Sequence, residues 1–123
     1  MNDNLSRARS WGLAAIQIGA GLLFLFAGGS KLLGASEMVA TFEKVGFGQW
    51  FRYLTGSLEV MGAIGLQFPR TSVYAAALLT CVMIGAVLTH LVLIGGSPAM
   101  AAILLLLMLT VVWMRRSEFM QRT

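Results

Sequence analysis

Hydrophobic positions in this chain fall in long runs, and the few polar ones interrupt them at helical intervals. Ser10 to Ser30 carries no charge, Tyr53 to Pro69 is broken only by Glu59, and residues 71 to 114 hold no Asp, Glu, Lys or Arg. As one helix rising about 1.5 Å per residue, that last stretch would measure about 66 Å, roughly twice the hydrocarbon core of a bilayer, so it has to fold back. Gly95-Gly96-Ser97-Pro98 supplies the break, with turn-forming glycines and a Pro placed to start the next helix. The pattern predicts an all-α, polytopic membrane protein. Residues 1–123 form a single four-transmembrane-helix bundle, with spans over about 11–33, 50–69, 72–94 and 98–114.

Between the first two spans, Ala35 to Gln49 reads as a short interfacial helix over about 36–46. Ser36 is placed to cap it, Glu37 lies in its first turn, Met38, Phe42 and Val45 make an apolar stripe, and Gly46 ends it. Spacing also assigns inner faces. Ala14, Gln17, Gly21, Phe24, Gly28 and Lys31 recur at steps of three and four along span one. Gly56, Glu59, Gly62 and Ala63 share a face of span two, and Ala76, Met83, Ala86 and His90 one of span three. Small and polar residues on one stripe belong inside a bundle, where glycine lets helices approach and polar groups find partners. Span four, aliphatic except for Thr110 and Trp113, reads as the lipid-exposed stave.

Composition fits this solvent: 58% of residues are hydrophobic and 11% charged, against about 25% charged in an ordinary soluble domain. Charge placement adds orientation. One side of the bundle collects Arg7, Arg9, Arg70, Arg115, Arg116 and Arg122, the other Lys31, Lys44 and Arg52, which puts both termini in the cytoplasm. The net charge of +4 is then a matter of topology and anionic lipid, and nucleic acid is not called for. Trp11, Tyr74 and Trp113 at one boundary and Trp50, Phe51 and Tyr53 at the other read as interface anchors. Arg7 and Arg9 before an apolar run also suit a signal peptide, but the run is longer than such a segment needs, so it is expected to remain as span one.

The candidate chemistry lies in the exceptions. Glu59, near the middle of its span, has either to take up a proton or to pair with a cation, for which Lys31, Arg52 and His90 are the candidates. These four converge on the outer half of the bundle, whereas the cytoplasmic half offers Gln17, with Gln67 and Arg70 at the boundary. They are the candidates for ligand binding or proton handling, or else for a buried clamp that fixes helix register. His90 is a lone histidine and reads as a hydrogen-bonded core residue, so no metal site is expected. Cys81, the only cysteine, rules out an intramolecular disulfide. No phosphate loop, nucleophile elbow or dinucleotide fingerprint appears, and no catalytic residue is assigned.

Three segments together resemble the DoxX family, in its DoxX-like branch: QIGAGLLFLFAGGSKL from Gln17 to Leu32, LEVMGAIGLQFPR from Leu58 to Arg70, and AAALLTCVMIGAVLTHL from Ala75 to Leu91. The likeness runs from about residue 11 to 116, with Lys31, Glu59 and His90 at the family's polar positions. Many members have an Arg where this chain has Gln17. The resemblance implies a four-span protein of the bacterial inner membrane. Its relatives include the membrane subunit of an archaeal thiosulfate:quinone oxidoreductase, proteins that accompany detoxifying or redox enzymes, and distantly an assembly chaperone for ion channels.

Three functions follow as expectations. The first is an accessory or organising membrane subunit of a redox-related assembly, with a protein partner or a second copy of the chain, against which Gly12, Gly19 and Gly29 can pack. The second is a binding or redox site for a quinone, a lipid or another lipophilic molecule in the outer half, with no covalently bound cofactor. The third is a small proton-coupled transporter.

Overall fold

The structure, a computed structural model, describes residues 3–95 and 98–116. Gly96 and Ser97 of the expected turn, and Arg122 of the expected basic set, lie outside the described residues. The elements are α1 (Asp3–Leu33), α2 (Ser36–Val45), α3 (Trp50–Gly65), α4 (Ser72–Thr89) continuing into a π-helical turn (His90–Ile94), and α5 (Ala99–Met114). The described residues contain no strand, and the molecule is all-α.

Helix α1 packs along α3, α3 on α4, α4 on α5, and α5 returns to α1, which closes a four-helix bundle. Phe24, Leu66, Leu79, Met108 and Val111 are fully buried between the four helices. The glycines set how close the staves come. A Cβ on Gly62 would lie 2.6 Å from the Leu79 side chain, so α3 and α4 approach at the width of a glycine there. Serine and threonine hydroxyls within the helices turn back on their own backbone. Ser30, Thr55, Thr80, Thr89 and Thr110 each donate to the carbonyl four residues earlier, at 2.7–2.9 Å. Polar side chains on an apolar surface are satisfied this way without water.

Helix ends follow local chemistry. Gly34 adopts φ 73°, its N–H donates to Lys31 O and the Ala35 N–H to Ser30 O, closing α1 with a left-handed Schellman turn. Gly46, at φ 86°, closes α2 as its spacing predicts. The opposite end of α2 differs from expectation: Ala35 is the flanking residue, Ser36 is already helical, and its hydroxyl makes no cap. The second span is also shorter than the 50–69 read from sequence, because α3 stops at Gly65. Pro69 disfavours helix in the residue before it, and Gln67 and Phe68 bond three residues back in a tightening turn.

Among the described residues, two helices are long and apolar enough to cross a membrane: Arg7–Leu33 and Ser72–Leu93. Helix α5 is apolar but has 16 residues, as does α3. Helix α5 is also more than an outer stave, since it buries Leu104, Met108 and Val111 against the other helices. Being aliphatic all round, its sequence has no period from which an inner face can be read. The outside of the molecule is strongly apolar, with Phe26, Leu33, Val92 and Leu106 among many large side chains mostly exposed. Soluble monomers rarely display contiguous apolar surface on this scale.

Candidate functional site

The site grows from the crossing of α1 and α3. A Cβ on Gly28 would stand 2.7 Å from Gly56 O and 2.8 Å from Val60 Cγ2, and one on Gly56 would stand 2.9 Å from Gly28 O. Larger residues at either position would part the helices. One turn from this contact on each helix, Lys31 and Glu59 face each other, with Lys31 Nζ 2.7 Å from Glu59 Oε1. Glu59 is only 2% exposed and the Lys31 side chain 15%. At that distance the ammonium and the carboxylate neutralise each other directly within the helix crossing. Such a pair favours the crossing only while both partners remain, since removing one strands a buried charge.

Arg52, also buried, is placed beside this pair and serves a different partner. Its Nη1 donates to Lys31 O, which also accepts from the Gly34 N–H at the end of α1, and its Nε donates to Gln49 Oε1 at 2.7 Å. Its guanidinium lies 4.3 Å from the Tyr53 ring centre. Gln49 in turn donates to Val39 O of α2 at 3.1 Å. A cation at a helix C-terminus meets the negative end of the helix dipole, so Arg52 joins α3 to α1 and, through Gln49, to α2. Phe51 completes the joint, packing edge-on against Phe42, Phe47 and Trp50 with ring centres 5.6–5.9 Å apart.

The remaining expected residues lie apart from this cluster. His90 opens the π-helical turn, and its Nδ1 is 3.1 Å from Gly95 O. A carbonyl can only accept, so that nitrogen carries the proton. No hydrogen bond or ion pair joins His90 to Lys31, Arg52 or Glu59 among the described residues, and its turn packs against α2. The expected foursome is thus a buried pair, a neighbouring helix cap and a separate histidine. The physical reason is the π turn, which brings the Gly95 carbonyl within reach of the ring.

Gln17 lies fourteen residues from Lys31, about 20 Å along α1, at the opposite end of the bundle. It is buried and central to a second polar cluster. Its side-chain amide donates to Leu66 O, its Oε1 accepts from Arg115 Nε at 2.8 Å, and its backbone carbonyl accepts from Gln67 Nε2 at 2.9 Å. Three chain segments far apart in sequence meet on one glutamine. Sequence reading placed Gln17 on the inner stripe but left out Gln49 and Arg115. For Gln49 the signal was its spacing of three from Arg52; Arg115 reaches Gln17 across 98 positions, which spacing cannot reveal. Among the described residues, no group of three His, Cys, Asp or Glu side chains comes together, and Cys81 is exposed.

A ring of apolar helices, drawn close by glycine contacts on α3 and carrying an ion pair at one crossing, defines a small helical bundle made for apolar surroundings. The chain belongs to the DoxX-like family, which matches residues 14–113, and the family is membrane-associated. No match was found among curated proteins or among solved structures.

Proposed function

We propose that this chain is a four-span protein of the bacterial inner membrane, with both termini cytoplasmic, acting as an accessory or organising membrane subunit of a redox-related assembly. Helices α3 and α5, at about 24 Å each, fall a little short of a hydrocarbon core of about 30 Å, a mismatch that flanking turns, tilt and snorkelling side chains absorb. Helix α2 then lies along the outer surface. The observation that carries the subunit reading is the use made of the buried polar groups. Lys31 and Glu59 neutralise each other at a glycine crossing, while Arg52 and Gln49 tie three helices together. These side chains hold a scaffold, and the broad exposed apolar faces are what the scaffold offers to others.

The test is affinity purification of the full chain from membranes in mild detergent, read by quantitative mass spectrometry. The expected result is one oxidoreductase component at a fixed ratio to this chain. Recovery of the chain alone across several mild detergents would sink the subunit reading.

One observation favours a second reading, contact with a quinone or similar lipophilic molecule: Glu59 is a carboxylate buried at a helix crossing, with the Lys31 ammonium 2.7 Å from its Oε1. Under that reading, Glu59→Gln lowers quinone-dependent turnover of the assembly while the complex stays intact. Equal turnover in the variant counts against it.

A further inference from the structure

Helix α2 is lightly held. It has ten residues, of which Phe42 and Val45 are buried, and it rests on α3 and the π turn with the Phe42 ring against Phe51. Beyond its own ends, a single hydrogen bond ties it to the bundle among the described residues, from Gln49 Nε2 to Val39 O at 3.1 Å. Both connections turn at glycine, Gly34 at φ 73° before it and Gly46 at φ 86° after it. A short segment with little buried surface and glycine joints opens at low cost.

The segment is joined to the buried ion pair by two routes. Gln49 carries the first from Val39 to Arg52, whose Nε donates to Gln49 Oε1 at 2.7 Å while its Nη1 donates to Lys31 O. The second is the chain itself: entering α2, the Gly34 N–H donates to Lys31 O and the Ala35 N–H to Ser30 O. The Lys31 carbonyl is therefore held by Gly34 at the hinge and by Arg52 at the end of the relay, and its ammonium by Glu59.

We propose that α2 is a hinged strap that governs access to the Lys31–Glu59 pair. Lifted, it takes Val39 O from Gln49, loosens the hold of Gln49 on Arg52, and draws Gly34 and Ala35 off the last turn of α1. That turn then frays, and the Lys31 side chain, 15% exposed with the strap down, comes into water. The face that lifting uncovers is apolar, so a bilayer interface receives Phe42 and Val45 at less cost than water does. The strap goes beyond the scaffold role by giving the pair two states. It holds for either orientation of the chain and with or without a partner protein, so the purification test above does not bear on it.

Lys31 and Lys44 are the two lysines of the chain, which supplies an internal reference. The full chain in phosphatidylcholine nanodiscs is treated with a water-soluble succinimidyl ester, and acylation of each lysine is followed by mass spectrometry. Lys44, exposed on α2, should react first. Gln49→Leu should speed Lys31 about tenfold, the weight of one hydrogen bond to a charged group, and leave Lys44 as it was. Hydrogen exchange over residues 36–45 should quicken with it. Val111→Ala, a truncation in the core at the far end of α5, weakens the bundle without lifting α2, so both rates should stay native. If Gln49→Leu does not fold, Gly46→Ala decides: its side chain strains the closed joint at φ 86° and meets nothing within 4 Å, and Lys31 should again react faster. Lys31 reacting as fast as Lys44 in the native chain, a native Lys31 rate in the folded variant, or equal acceleration in Val111→Ala would overturn the strap. Faster Lys31 without faster exchange in α2 would assign the effect to Arg52 alone and overturn it too.

Discussion

Glu59 and Lys31 show how one pair of side chains can hold a helix crossing in an apolar setting. The carboxylate is nearly inaccessible, and its charge is balanced at 2.7 Å by an ammonium that keeps some access to the end of α1. The pair is expected to contribute less than its distance suggests, since both ions were withdrawn from water, while loss of one partner is costly. Lys31→Met should therefore destabilise the bundle by about 3–5 kcal/mol, and Lys31→Met combined with Glu59→Met should restore most of that. Thermal unfolding in detergent across the double-mutant cycle measures it. A double variant no more stable than Lys31→Met alone would show that the charge pairing is not what holds the crossing.

Among the elements, the glycines separate positions that resemble one another in sequence. Gly28 and Gly19 both lie within α1, yet a Cβ on Gly28 meets Gly56 O at 2.7 Å and one on Gly19 meets nothing within 4 Å. Gly28→Ala should push α1 from α3 and cost about 1–3 kcal/mol. Gly19→Ala should be neutral or gain up to about 1 kcal/mol from helix propensity, unless a second copy packs on that face. Unfolding transitions of the two variants, with the oligomer mass of Gly19→Ala, decide both; equal effects would contradict the assigned faces. Here also lies the limit of what spacing can tell. The three- and four-residue steps placed Gln17, Gly21, Phe24 and Gly28 on the inner face, because a helix repeats. They placed Glu59 beside Gly56 and Gly62 for the same reason. They could not choose among Lys31, Arg52 and His90 as partner for Glu59, since that choice depends on where two helices cross. The π turn that sets His90 apart and the reach of Arg115 to Gln17 are tertiary facts with no periodic trace.

For the molecule as a whole, charge and aromatic residues divide between its two ends. Arg7, Arg9, Arg70, Arg115 and Arg116 gather with Trp11, Tyr74 and Trp113 at one end, while Lys31, Lys44 and Arg52 lie with Trp50 and Tyr53 at the other. The proposed topology puts the richer end in the cytoplasm, because short loops rich in arginine resist translocation. The structure offers sites at which to test that. Glu43 is exposed on α2 at one end and Ser10 is exposed on α1 at the other, with the span of α1 between them. With Cys81 replaced by Ala to remove the native thiol, Glu43→Cys in spheroplasts should react with a membrane-impermeant maleimide. Ser10→Cys should react only after permeabilisation. The opposite pattern would invert the proposed topology and move the lysine-glutamate pair to the cytoplasmic half. Labelling of both sites from one side would mean that α1 does not cross at all, and the four-span reading would fall with it.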